Sequence, residues 1–328
     1  MSTGTVLLIY LLLDRFEEPL VVRTAAFLAA IYPTSVMATN LLGTETIFTF
    51  CLLLLAFLIA SWEEESILHL ALLGFLITWT AIVRSMLAVL YFSVASTFLS
   101  RDTPRKAVRS LLFLSFFIIL GLSPWAIRNW NVFHRFIPVC TSEGEFLGRH
   151  TGYLLAGDTA HLEQMPRYQA WRAIPNEAER SSLGYHMALA NWVDIIRQGP
   201  LTILKAFHTA TYSTFYADDE ILFWSVTRSY GRARHSGAAQ ALSLPMISHG
   251  RWLTLGFYLA VLVLSGMAIL THAASAKGFY DELFFLKASF FLFFCTNLIV
   301  LSKVRYHFGM MPLLLIFAAK SSKRFELS

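Results

Sequence analysis

Four places in this chain set an ionisable side chain within or beside long apolar sequence, and they are where chemistry is expected. Glu45 stands in Leu-Gly-Thr-Glu-Thr at the start of an apolar run. A carboxylate at such a position either faces a cavity or partner, or complements the positive end of a helix. Arg84 stands between two apolar runs in Ile-Val-Arg-Ser-Met, and Arg128 closes the run Pro124-Trp-Ala-Ile-Arg-Asn129. Each guanidinium either binds an anionic group such as a phosphate through paired N–H donors or extends to a polar interface. Arg305 and Tyr306 belong to Lys303-Val-Arg-Tyr-His307, which opens the last apolar run, with Pro312 inside it.

Other chemistries find little support. No histidine pair has metal-ligand spacing on a clear helix, and no Ser-His-Asp order can be fixed. Asp218-Asp219-Glu220 reads as a solvated turn ahead of a divalent-metal site, so no metal or other cofactor is expected. There is no phosphate-cradling Gly-rich loop. The three cysteines, Cys51, Cys140 and Cys295, are too far apart for a disulfide framework or a zinc site. Cys51 and Cys295 read as small buried apolar residues.

The elements that must position these residues are apolar helices. The 328 residues are 56% hydrophobic and 14% charged, against about 25% charged in a soluble domain. Mean hydropathy is +0.57. One aqueous core cannot hide that much apolar surface, so lipid is the expected solvent. The net charge of +5 fits Lys/Arg-rich cytoplasmic loops. Basic residues alternate with aromatic ones between Arg128 and Arg135, but beside an apolar span this does not suggest nucleic acid. The apolar stretch Val6 to Leu13 has neither a preceding positive residue nor a small-residue cleavage site, so it does not read as a signal peptide.

Nine spans are expected, near 3–13, 22–39, 45–61, 66–83, 86–100, 109–126, 251–271, 283–302 and 306–320. The loop Arg101-Asp-Thr-Pro-Arg-Lys-Ala-Val-Arg109 and the tail Lys320-Ser-Ser-Lys-Arg324 are both basic and should be cytoplasmic. Four spans separate them, so the two signals agree. Counting back puts Glu63-Glu64-Glu65 inside and Glu45, Arg84 and Met1 outside. Residues 127–250 are polar and fall outside. Within them, Leu183 to Ser213 has helical spacing broken at Gly199-Pro200, a pair of helices with the second starting near the proline. The apolar face beside Lys205 and His208 either lies on the membrane surface or packs within the external domain. The expected fold is all-α: transmembrane helices over 1–126, a small extracytoplasmic α-rich domain over 127–250, and C-terminal helices with a cytoplasmic tail over 251–328.

Four stretches, taken in order, give the chain a family resemblance. Ala30-Ile-Tyr-Pro33 is followed by Thr44-Glu-Thr-Ile-Phe48. Thr80-Ala-Ile-Val-Arg84 comes next. Ser123-Pro-Trp-Ala-Ile-Arg-Asn129 leads to Phe133, Phe136-Ile-Pro-Val139 and Glu143-Gly144. Arg305-Tyr306 with Pro312 comes last. Together they resemble the GT-C membrane glycosyltransferases of the family 39 type, which include the protein O-mannosyltransferases and the aminoarabinose lipid A transferase. The Pro-Trp-x-x-Arg-Asn run is the most specific; Thr80 to Arg84 lacks the proline that the family often shows. The resemblance implies an enzyme of the bacterial inner membrane and cell envelope. Such an enzyme moves a sugar from a polyprenyl-phosphate donor to an acceptor on the extracytoplasmic face, with membrane lipids around it. Arg84, Arg128, Arg305 and Tyr306 would bind the donor. The family's catalytic acid lies in an external loop after its first helix. Alignment by motif puts Met1 after that loop, so the expectation is that this sequence lacks the first helix and the catalytic loop. Glu45 is then the remaining candidate base. The alternative is a non-catalytic lipid-carrier transporter or accessory subunit of the same architecture.

Overall fold

The computed structural model describes residues 2–38, 44–61, 66–157, 159–215, 257–266, 284–299 and 311–322. Among these residues the fold is entirely helical, with no strand. Helix α1 (Ser2–Leu13) leads to α2 (Pro19–Ile31), where Pro19 occupies the first turn, a position that needs no N–H donor. The expected span 22–39 is interrupted at Tyr32. Tyr32 precedes Pro33 and takes φ −58°, ψ 112°, because a residue before proline is driven out of the helical region. A short α3 (Pro33–Ala38) follows. Helices α4 (Thr44–Ala60), α5 (Ile67–Val83) and α6 (Leu87–Arg101) lie close to the expected spans.

Helix α7 (Pro104–Phe133) is much longer than the expected 109–126 and passes through the boundary drawn at 126/127. Pro124 lies inside it. A mid-helix proline leaves the carbonyl four residues earlier without its usual donor. Here the Ser123 hydroxyl donates to the Leu120 carbonyl at 2.8 Å, so the helix continues. It ends where His134 adopts a left-handed conformation, φ 52°. Among the described residues α7 alone is both long and apolar enough to cross a membrane, and only 22% of its most apolar stretch is buried.

Five helices follow: α8 (Glu143–Ala156), α9 (Thr159–Gln164), α10 (Pro166–Arg172), α11 (Glu177–Arg197) and α12 (Pro200–Phe215). The break expected at Gly199-Pro200 is present, with Gly199 at φ +98°. Asn176 caps α11, its side-chain oxygen accepting from the Ala178 and Glu179 N–H groups at 3.0 and 3.2 Å. Helices α13 (Phe257–Gly266), α14 (Phe284–Ile299) and α15 (Met311–Ser322) complete the described chain.

One core joins α1, α2, α4 to α7 and α13 to α15, centred on Ile9, Leu52, Leu55, Leu73, Leu90 and Leu314. Small residues bring α5 and α7 together. Gly74 lies against Phe117 and the Leu114 carbonyl, and Gly121 lies against Thr78. The Thr78 hydroxyl donates to the Ile118 carbonyl at 3.3 Å. Glycine and threonine at the crossing let the two backbones approach closely, with a hydroxyl bonded across it. Residues of α8 to α12 have separate small cores, one around Ile195 and one around Tyr168 and Trp171.

Candidate functional site

The two ends of the bundle differ in chemistry. At one end the last turn of α4 offers carbonyls that its own helix cannot satisfy. Arg15 donates to Ser61 Oγ at 2.9 Å and to the Ala60 carbonyl at 3.4 Å, and Arg101 donates to the Ile59 carbonyl at 3.2 Å. Lys320, at the end of α15, pairs with Glu17 between α1 and α2. The basic loop after α6 and the basic end of α15 therefore share one end of the bundle, as the sequence count required.

The opposite end holds parts of the segments around Tyr32-Pro33, Glu45, Arg84 and Pro312. A cavity of about 280 Å³ opens between α1, α2, α3, α4 and α15. Ala30 lines it from the first segment, Thr46 from the Thr44 to Phe48 stretch, and Pro312 from the last. Beside it, on the neighbouring face of α4, stands Phe48. Arg84, the C-cap of α5, is 9% exposed and places its guanidinium carbon 5.5 Å from the Phe48 ring centre. That is cation–π range. Glu45 is half-buried in the first turn of α4, one turn before Phe48. Three of the four segments, far apart in sequence, thus meet at one end.

The remaining segment, which begins at Ser123, closes on itself. The Trp125 indole N–H donates to the Val139 carbonyl at 2.6 Å, and Asn129 Nδ2 donates to the Ile137 carbonyl at 2.9 Å. Asn129 is 1% exposed. These two bonds fold the 134–142 segment back against the end of α7, and Val139 joins the main core. Arg128 is exposed; it donates to Asn129 Oδ1 at 2.9 Å and stacks over Trp125 at 5.2 Å. These contacts lie within its own helix, whereas Arg84 reaches across to α4. Arg305 and Tyr306 lie outside the described residues, as do Asp218-Asp219-Glu220.

Beyond α7, α8 and α11 cross with almost no space between their backbones. A Cβ on Gly144 would stand 1.9 Å from the Ser181 carbonyl oxygen, and one on Gly184 would stand 2.2 Å from the Gly144 carbonyl oxygen. Around this crossing the Gly144 N–H donates to Ser181 Oγ at 3.0 Å, and Arg180 pairs with Glu145 at 3.0 Å. Tyr185 donates to Glu143 Oε2 at 3.0 Å. Partial burial and the adjacent Glu143 carboxylate push the Tyr185 phenol above its usual range.

Sequence reasoning did not single out this crossing, although the spacing Gly144-Glu-Phe-Leu-Gly148-Arg-His-Thr-Gly152 is its visible signal. Thr49, which also lines the cavity, lies outside the stretches that the sequence singled out. Among the described residues no cluster of His, Cys, Asp or Glu could hold a metal ion, and the cysteines are unpaired: Cys51 is buried, Cys140 and Cys295 half-buried. No protein-family model matches the chain, and no curated protein or solved structure is significantly similar to it.

Proposed function

We propose that this chain is a multi-pass membrane protein that binds a polyprenyl-phosphate-linked sugar at the extracytoplasmic end of its helical bundle and acts as a GT-C type glycosyltransferase. The observation that carries the reading is the meeting of Ala30, Thr46 and Pro312 around one cavity, with Arg84 held over Phe48 beside it. The membrane part of the reading draws on surface chemistry. Along α7, Leu112, Phe116, Ile119 and Ile127 are each more than half exposed, as are Phe27, Trp79 and Phe92 on other helices. So large an apolar exterior is at odds with water and suits lipid. The shared basic end is then cytoplasmic, and the cavity faces the other side. Helix α12 exposes Leu201, Leu204 and Phe207 beside Lys205 and His208, which suits a helix lying in the head-group region.

A second reading has its own support. Among the described residues lining the cavity none is charged, so none of them offers a carboxylate to act as a base. A lipid-carrier binder without catalysis fits that lining equally well. The test uses the full chain in lipid nanodiscs with a polyprenyl-phosphate hexose. Binding and sugar transfer are measured separately. Arg84→Ala should weaken binding about tenfold, the loss of one charge-assisted hydrogen bond, while Lys323→Ala on the tail should leave it unchanged. Binding without turnover selects the carrier reading. A wild-type chain that binds no lipid-linked sugar refutes both.

A further inference from the structure

A second opening lies at the basic end of the bundle, on its outer surface. Helices α5 and α7 run side by side in the same direction, with Gly74 against Phe117 and Thr78 against Gly121. Near their starts a groove of about 410 Å³ opens between Ile67 of α5 and Arg109, Leu112, Phe113, Phe116 and Phe117 of α7. Packing holds its floor in place. The close approach at Gly74 seats Phe117 on α5, where its ring centre lies 6.1 Å from that of Phe75. Phe116 meets Phe117 edge to face at 5.4 Å. Ile67, Leu112 and Phe116 are each more than half exposed. Every one of these lining residues except Arg109 is apolar.

The charge at the mouth of the groove narrows what can occupy it. Arg105 precedes Arg109 by four residues and lies on the same face of α7. Both are exposed. The other cations of this loop are engaged: Lys106 pairs with Asp102 at 3.4 Å, and Arg101 donates to the Ile59 carbonyl at 3.2 Å. Two guanidiniums therefore stand over one end of an apolar channel, and no acid is among its lining residues. A second copy of this chain fits such a surface poorly. A two-fold contact sets one patch against itself, and two copies sharing one membrane orientation would bring their arginines together. An acyl chain with an anion at its head matches both the channel and the charge.

We propose that the groove between α5 and α7 binds an anionic phospholipid of the cytoplasmic leaflet. The phosphodiester accepts from Arg105 and Arg109, and an acyl chain lies against Ile67, Leu112, Phe113 and Phe116. The inference rests on the membrane part of the proposed function. It is independent of the sugar donor, which that reading puts at the opposite end of the bundle.

The experiment irradiates the full chain in uncharged detergent with phosphatidylglycerol carrying a diazirine in one acyl chain, and maps the labelled peptides by mass spectrometry. Label should concentrate on residues 67–75 and 109–117. Unlabelled phosphatidylglycerol should displace it at least about tenfold more effectively than phosphatidylcholine does. Arg105→Gln should raise the lipid needed for half-labelling about fivefold, and Arg105→Gln with Arg109→Gln about tenfold or more. Arg135→Gln, an equal loss of exposed charge beyond the far end of α7, should change nothing. Both groove arginines are exposed, so the lipid-free melting temperature should stay at the wild-type value, which separates lost binding from lost fold. Label spread equally over Phe27, Phe92 and the groove overturns the proposal, as does labelling unchanged in the double variant. Equal displacement by phosphatidylcholine overturns it too. A dimeric chain whose groove stays unlabelled assigns the face to a second copy and overturns it as well. A bare groove with label on Phe27, Trp79 and Phe92 sinks this inference and leaves the membrane reading standing; no label on any of them sinks both. Arginine-dependent groove labelling in a chain that binds no lipid-linked sugar supports this site and counts against the sugar-donor reading alone.

Discussion

Replacing Gly144 by alanine opposes two effects of known size. Helix propensity favours alanine over glycine by about 1 kcal/mol inside α8. The added Cβ, however, would stand 1.9 Å from the Ser181 carbonyl oxygen. Relief requires α8 and α11 to part by roughly 1 Å at a backbone-on-backbone contact that no rotamer change can ease. Overpacking of that kind costs about 3 kcal/mol. Parting the helices also stretches the bond from the Gly144 N–H to Ser181 Oγ, now 3.0 Å, worth about 1 kcal/mol. The sum is a net loss of about 3 kcal/mol. Gly157→Ala is the control: its φ of +86° makes alanine strained, but nothing lies within 4 Å of the new Cβ, so the cost should be about 1 kcal/mol. Hydrogen exchange of peptides covering α8 and α11 measures both variants in the full chain. Gly144→Ala at wild-type protection, or less harmful than Gly157→Ala, would show that the two helices do not cross as described.

Asn129→Leu should destabilise the joint between α7 and the 134–142 segment by about 1 kcal/mol, since it strands the half-buried Ile137 carbonyl; faster exchange at residues 136–140 with α5 unchanged is the expected signature. Tyr185 should ionise after ordinary tyrosines in an alkaline titration, and Glu143→Gln should bring it back toward them; phenolate absorbance of each variant against Tyr185→Phe reads this. The sign follows from a folded pKa raised above the unfolded value: the stability Tyr185 contributes is fully present below about pH 10 and is lost as pH rises toward its folded pKa. A cysteine placed at residue 105 should resist an impermeant thiol reagent added to intact cells, and one at residue 160 should react; the reverse pattern would invert the proposed topology.

The sequence alone determined what depends on local or summed properties. Apolar runs set α4, α5 and α6 within a few residues, because a helix closes its own hydrogen bonds and needs no partner to be legible. Gly199-Pro200 marked the α11–α12 break, because positive φ and a missing N–H act on the residue that carries them. Charge bias placed the Arg101 loop and the Lys320 tail at one end, and the contacts of Arg101 and Lys320 with α4 and Glu17 agree. Sequence misjudged the span of α7, since Pro124 is a breaker until Ser123 serves the freed carbonyl. What remained for tertiary structure was juxtaposition. Arg84 and Arg128 look alike in sequence, yet one is buried over Phe48 and the other stacks on its own helix. Thr49 is an ordinary apolar-run threonine until the cavity beside it and its unmatched hydroxyl are seen. Which helices touch, and which polar atom is left over when they do, depends on packing between distant segments, and no local period in the chain encodes it.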